Sequence, residues 1–240
     1  MNNQVHNLFY IPPENISHSE IIISGEEFHH LKNVLRKKIG DTIFVTDGEG
    51  HRYKIRITNI ARSQIDAEII DKIPVKRGRG INLTLAFVPL KGLRNDLIFE
   101  KGTELGVIKF FPFISHYSII PTLSQSKLSR FKKIAISAML QSQQYYSPEI
   151  IFHKDLNSLL KNFNDFELVL VADKDGKSDI PSGAKSIMYI VGPEGGFANS
   201  EIEMLKNNRV RLLSLGPNRL RSETAAIVGI VKILSAYGEV

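Results

Sequence analysis

Apolar and polar positions alternate strictly along Tyr53-Lys54-Ile55-Arg56-Ile57, with Tyr53, Ile55 and Ile57 on one face and Lys54 and Arg56 on the other. This is the period-two signature of a half-buried strand. Ile65, Ala67 and Ile69 repeat it, and Thr42 to Thr46 is a β-branched and aromatic run that ends in the turn-forming Asp47-Gly48-Glu49-Gly50. One helix is expected in this region, from about Glu26 to Arg36, starting near Ser24 or Gly25. The pattern predicts a small β-barrel-like domain over residues 1–74.

The basic, breaker-rich stretch from Pro74 to Gly80 is the best linker candidate, and the rhythm changes after it. Strands are predicted at Ile81–Val88, Val107–Ile114, Glu149–Phe152, Glu167–Ala172, Ser186–Val191 and Arg211–Leu215. Helices fall between them. Arg94–Leu105 closes at Gly106, and Lys127 to about Gln143 carries Leu128, Phe131, Ala135, Ala138 and Ser142 on one stripe. Asp155 caps a short helix, and Ser200-Glu201-Ile202-Glu203 reads as a capping box. The last helix, Ser222–Ala236, is apolar on most faces and should be buried. Alternating strands and helices over residues 75–240 predict an α/β domain with a largely parallel sheet covered on both sides. Ligands of such sheets sit beyond the carboxyl ends of the strands.

A length of 240 residues, with 42% hydrophobic and 23% charged positions, fits one large or two small globular domains and excludes wholesale disorder. The longest apolar run, Ala225–Val231, is far too short for a membrane span, so no membrane partner is expected. The first residues from Met1 show neither a basic start nor an apolar stretch, so a cytoplasmic location is expected. The absence of cysteine removes disulfides, thiolate metal sites and cysteine nucleophiles. The formal charge of +6 is uneven: residues 1–74 carry 9 basic against 10 acidic side chains, and residues 75–240 carry 22 against 15. Such a surplus attracts polyanions, although a mildly basic soluble surface accounts for it equally well.

Several motifs are decoys. Gly176-Lys177-Ser178 lacks the first glycine of a phosphate-binding loop, since Val171 stands there, and Gly78-Arg79-Gly80 precedes a strand where a dinucleotide fingerprint must follow one. His29-His30 has no third ligand at suitable spacing, and no metal site is expected. Two loops remain. Val191-Gly192-Pro193-Glu194-Gly195-Gly196-Phe197 joins a strand to a helix, and so does Leu215-Gly216-Pro217-Asn218-Arg219-Leu220-Arg221-Ser222-Glu223-Thr224-Ala225. Taken singly, each reads as an ordinary turn with a helix cap. Together, in neighbouring strand–helix units, they would line one crevice whose backbone groups can read an adenine edge.

These two loops closely resemble those of the ribosomal RNA small subunit methyltransferase E family of the SPOUT superfamily. Further matches are His30-Leu31 with Val34-Leu35-Arg36, Gly40-Asp41, Lys101 to Val107, Gln141-Ser142 and Pro148-Glu149-Ile150. The resemblance runs from about residue 10 to residue 236. It implies a PUA-like β-barrel RNA-binding domain followed by a SPOUT α/β domain with a deep trefoil knot, working as a homodimer. It also implies methyl transfer from S-adenosylmethionine to N3 of a uridine in the decoding region of 16S ribosomal RNA within the small subunit, leaving S-adenosylhomocysteine. Carried over by position, the cofactor residues would be Leu170, Ala172, Gly192, Pro193, Glu194, Gly195, Gly196, Leu215, Gly216, Asn218, Leu220, Arg221, Thr224 and Ala225. The sequence departs from the common family pattern at Asn218, Gln144 and Tyr117, positions where arginine is frequent.

Uridine N3 holds its imide proton near neutral pH, so transfer requires a proton acceptor, stabilisation of the resulting anion, or both. Glu223 is the candidate acceptor and Arg221 the candidate stabiliser; the alternative is that the two simply pair with each other. Arg36, Lys37, Lys38, Arg52, Lys54 and Arg56 are the candidate RNA-phosphate contacts, as a local stripe rather than a uniformly positive surface. Competing readings are a non-catalytic RNA-binding protein of the same fold, and an enzyme acting on transfer RNA or large-subunit RNA.

Overall fold

The computed structural model describes residues 7–78 and 80–240. Met1 to His6, on which the cytoplasmic expectation rests, and Arg79 of the linker and of Gly78-Arg79-Gly80 lie outside the described residues. The chain divides into two compact units, residues 1–78 with 139–147, and residues 79–138 with 148–240.

In the first unit, β1 (Leu8–Tyr10), β2 (Glu20–Ser24), β3 (Thr42–Thr46), β4 (His51–Ile60) and β5 (Gln64–Pro74) form one sheet in the order β1-β3-β4-β5-β2. β1 runs parallel to β3 and the other pairings are antiparallel. The alternating face of the sequence is the buried one: Tyr53, Ile55, Ile57, Ile65 and Ala67 pack with Phe9, Ile21, Phe28 and Leu31. β1 and β2 were not expected, because β1 is too short to display a period and Pro12-Pro13 follows it closely.

The expected continuous helix is a short α1 (Gly25–His29) running into a π-helical turn, His30–Val34. The Leu35 N–H reaches back to the His30 carbonyl at 3.0 Å, and the chain leaves the turn at Arg36 with φ 52°. Residues 145–147 attach to the β3–β4 turn: Gly50 N–H donates to the Tyr145 carbonyl at 2.8 Å and Ser147 N–H to the Gly48 carbonyl at 2.7 Å. The same turn encloses Asp47, whose carboxylate accepts from Glu49 N–H (2.8 Å), His51 N–H (3.2 Å), His51 Nδ1 (2.6 Å) and the Tyr53 hydroxyl (3.0 Å). Burial alone would push the Asp47 carboxyl up, but these donors outweigh it and hold the group below its ordinary value.

The second unit is built on β6 (Asn82–Phe87), β7 (Lys109–Pro112), β8 (Glu149–Ile150), β9 (Leu168–Lys177), β10 (Ser186–Val191) and β11 (Arg211–Leu213). All pairings are parallel, in the order β11-β9-β10-β6-β7-β8. Alternate residues of the central strands point to opposite faces. Leu83, Leu85, Phe87, Leu170, Ile187, Tyr189 and Val191 meet Ile98 and Phe99 of α2 (Arg94–Glu104), Phe131 of α3 (Gln125–Gln141), and Ile230, Ile233 and Leu234 of α6 (Ser222–Ala236). Ala86, Val171, Met188 and Ile190 face Leu156 and Leu159 of α4 (Leu156–Leu160) and Leu205 of α5 (Asn199–Asn207). Burial on both faces makes these strands near-continuous apolar runs, as the sequence shows.

The fit of α6 on the sheet depends on one glycine. A Cβ at Gly229 would lie 2.2 Å from the Tyr189 ring, so only glycine allows this approach. Tyr189, fully buried, donates its hydroxyl to the Ala225 carbonyl at 2.9 Å and fixes the first turn of α6 against β10.

Two expectations need correction. β9 does not end at Ala172 but continues to Lys177, and its pairing with β11 jumps from Leu212↔Val171 to Leu213↔Lys177, so residues 172–176 form a bulge in the register. The N-cap of α5 is Ala198 rather than Ser200, and the reciprocal half of the cap is Glu201, which accepts from Ala198 N–H at 2.9 Å.

Candidate functional site

In the second unit, β6, β7 and β8 step outward in one direction, while β10, β9 and β11 lie on the other side of β6. The segments leaving β6, β10 and β11 meet beyond the carboxyl ends of these strands, where open α/β sheets place their ligands.

The Gly192–Gly196 loop is compact because Gly192 lacks a side chain; a Cβ there would lie 2.9 Å from the Phe197 ring. The ring in turn stacks on Phe113 at 6.4 Å between centroids. The second loop is tied to the first at two points. The Arg219 guanidinium donates to the Glu194 carbonyl at 2.9 Å, and the Ser222 hydroxyl donates to the Gly192 carbonyl at 3.2 Å. Lys232 of α6 holds the base of the second loop through the Ser214 carbonyl at 2.7 Å. The structure therefore brings together the two loops singled out in the sequence.

What they leave open is mostly backbone. The N–H groups of Gly195, Gly216, Asn218 and Leu220 donate to no protein group among the described residues. Leu215 and Leu220 are half-buried against the core, and Pro193 and Ala225 are buried. Thr224 and Asn218 are exposed, and Ala172 is half-buried at the start of the out-of-register excursion. Leu170 is fully buried in the core beneath.

The charged part of the site has a member that the sequence did not single out. Glu223, in the first turn of α6, is buried at 7% exposure, and its Oε2 has no hydrogen-bond partner. Its ion partner is not Arg221, which stands at the N-cap position of α6, is exposed and forms no side-chain hydrogen bond or ion pair among the described residues. The partner is Arg94, the first residue of α2, with Nη1 at 3.7 Å from Glu223 Oε2. The same guanidinium forms a close hydrogen-bonded pair with Glu194 of the glycine-rich loop. That hydrogen bond is the main reason the Arg94 guanidinium is held above its ordinary value. A cation at a helix N-terminus opposes the helix dipole, and the two carboxylates offset it. Position at the start of the helix that follows β6 and this local conflict are the signals by which Arg94 could have been found.

The candidate RNA contacts lie in the first unit. Arg36 and Lys38 are exposed and Lys37 half-buried after the π-turn; exposed Val34 and Ile39 flank them. On β4, Lys54 is exposed, Arg52 lies over the Phe44 ring at 5.2 Å, and Arg56 is paired with Glu68 at 2.8 Å. The stripe is thus partly neutralised by the strand beside it.

Comparison with known proteins fits this arrangement. Residues 78–234 match the RNA methyltransferase domain family and residues 23–70 the RNA methyltransferase PUA domain family. The chain is 30% identical over 226 residues to the ribosomal RNA small subunit methyltransferase E of Bacillus subtilis, covering 88% of each chain. It is 31% identical over 222 residues to the protein of the same name from Aquifex aeolicus, covering 90% of this chain and 94% of that one. Among solved structures, the Neisseria gonorrhoeae ribosomal RNA small subunit methyltransferase E bound to S-adenosyl methionine superposes with a TM-score of 0.82. It shares 27% identity, with 97% of this chain and 98% of that chain covered. With its RNA methyltransferase domain, its PUA domain and its match along nearly the whole length of these relatives, the chain belongs to the ribosomal RNA small subunit methyltransferase E family.

Proposed function

We propose that the protein methylates N3 of a uridine in the decoding region of 16S ribosomal RNA, with S-adenosylmethionine as donor, in the cytoplasm. The observation that carries this reading is the buried Glu223 carboxylate, whose Oε2 lacks a hydrogen-bond partner and lies 3.7 Å from Arg94 Nη1, at the junction of two backbone-lined loops.

The residues fit the cofactor. Unpaired N–H groups at Gly195, Gly216, Asn218 and Leu220 suit the hydrogen-bonding edge of adenine, and half-buried Leu215 and Leu220 suit its faces. Pro193, Gly196, Thr224, Ala225 and Ala172 complete the lining in this proposal, while Leu170 supports it from the core. The donor, when bound, supplies an activated sulfonium methyl and requires no metal.

Glu223 is the group proposed to take the N3 proton of the uridine; its Oε2 carries no hydrogen bond and is balanced by Arg94 at 3.7 Å, and the buried carboxylate must open toward the base to act. Arg94 keeps the carboxylate oriented and balanced in charge, and exposed Arg221 is available for the anion that spreads onto O2 and O4. Much of the rate comes from holding base and methyl donor in line.

We propose in addition a trefoil knot in the second unit and a homodimer. β11 lies outside β9, and the following helix α6 returns to pack on β10 and β6, a return that a C-terminal knot requires. Leu93, Leu97 and Val231, exposed on the packed pair α2 and α6, offer an apolar face for a second copy. The first unit, with Arg36, Lys37, Lys38, Arg52 and Lys54, supplies phosphate contacts to the RNA. Titration calorimetry with S-adenosylmethionine tests the cofactor assignment. Micromolar or tighter binding that is lost when Gly195 is replaced by a bulky residue supports it, and absence of binding refutes it.

A further inference from the structure

Among the described phenylalanines and tyrosines, Tyr117 is the one that is exposed, at 51%; the others are buried or half-buried. It is also held rigidly. Ser115 and Ser118 close a turn around it, through Ser118 N–H to the Ser115 carbonyl at 3.0 Å and Ser115 N–H to the Ser118 hydroxyl at 2.7 Å.

Beneath the turn lies Glu201, 5% exposed, which accepts from the Ser115 hydroxyl at 3.0 Å and from His116 N–H at 2.9 Å. The same carboxylate caps α5, the helix that follows the glycine-rich loop, so one buried group fixes both segments. The result is contact between them: a Cβ on Gly195 would lie 3.6 Å from Tyr117 Cβ and 3.8 Å from its Cγ. Gly195 is adjacent to Glu194, which Arg94 holds beside Glu223. His116 packs edge-on to the tyrosine at 4.8 Å.

We propose that Tyr117 is the platform on which the target base stacks when it is presented to the glycine-rich loop. The proposal rests on the reading of the site as a base methyltransferase. An enzyme that modifies a ring nitrogen must take the base out of its stack, and an aromatic face replaces part of the lost stacking. The half-exposed ring suits a base that arrives on a polymer from solvent. The adenine of a cofactor belongs instead in an enclosed apolar slot. Glu201 and the 115–118 turn give the platform its preorganisation, since a floppy tyrosine would pay ordering entropy on binding.

The test uses Tyr117→Ala, Tyr117→Phe and Tyr117→Trp in the full chain. With unmethylated small subunits as substrate, Tyr117→Ala should lower kcat/KM about tenfold or more, the order expected for one lost base–aromatic stack, while Tyr117→Phe stays within about twofold. Affinity for S-adenosylmethionine should not change in either. The chain contains no tryptophan, so Tyr117→Trp provides a single tryptophan that can be excited selectively, expected to be quenched by oligouridylate and not by S-adenosylmethionine alone. Unchanged kcat/KM in Tyr117→Ala, equal loss in Tyr117→Phe, or weakened cofactor binding overturns the proposal. Were the wild-type protein to transfer no methyl group to uridine, the methylation reading would fall on its own. The quenching by oligouridylate would still decide whether Tyr117 stacks a base.

Discussion

Arg94 Nη1 lies 3.7 Å from Glu223 Oε2, joining the first turns of α2 and α6 at the carboxyl end of the parallel sheet. Glu223 is nearly inaccessible and Arg94 is partly open, so removing the arginine leaves a buried carboxylate without its counter-charge. Arg94→Gln should destabilise the second unit by about 2 kcal/mol, less than for a fully enclosed pair. Adding Glu223→Gln should recover most of that loss, because the unpaired charge is gone, yet methyl transfer should stay impaired. Denaturant unfolding of both single variants and the double variant measures the coupling; additive losses would show that the pair does not interact.

Gly192→Ala places a Cβ 2.9 Å from the Phe197 ring, which is itself stacked on Phe113. The loop must shift by several tenths of an ångström to accept it. S-adenosylmethionine affinity is expected to fall about tenfold, the effect of losing roughly one well-made hydrogen bond, with far-ultraviolet circular dichroism unchanged. Calorimetry giving wild-type affinity would mean that the loop does not contact the donor.

The Asp47 carboxyl is held below its ordinary value in the folded protein, so the unfolded chain binds its proton more readily. Its contribution to stability is therefore complete above the ordinary aspartate range and is lost as the pH falls through the lower folded value. Asp47→Asn should make the unfolding free energy less dependent on pH in that acidic window and lower stability at neutral pH. The comparison is a set of denaturant midpoints at several acidic pH values. An unaltered pH profile in the variant would remove Asp47 from the account.

Arg56 already pairs with Glu68, whereas Arg36, Lys37 and Lys38 follow the π-turn without such a partner strand. Replacing those three with alanine should reduce the slope of log binding constant against log salt by about 2, at roughly 0.7 per single-strand phosphate contact. Arg56→Ala should change it little. Filter binding to 16S RNA at several salt concentrations separates the two; equal slopes for wild type and the triple variant would place the RNA elsewhere.

Features set by local chemistry were legible in the sequence. β10 spans Ser186–Val191 and α6 spans Ser222–Ala236 as expected, because an apolar run and an apolar helix start in a polar turn announce themselves within a few residues. The two loops after β10 and β11 were found because glycine and proline mark turns wherever they occur. Features set by distant partners were not. The attachment of residues 145–147 to the β3–β4 turn, the excursion over residues 172–176 and the reach of Glu201 to Ser115 depend on pairings across long stretches of chain. Arg94 was missed for a related reason: its meaning depends on Glu194 and Glu223, neither of which is near it in sequence.

The most direct measurement is nucleoside mass spectrometry of 16S RNA, taken from cells lacking the protein and then incubated with it and isotopically labelled S-adenosylmethionine. One labelled methyl group is expected, on N3 of a single uridine in the decoding region, and almost none with Glu223→Gln. Label on a ribose, on another base, or on no nucleoside at all would contradict the proposed methylation.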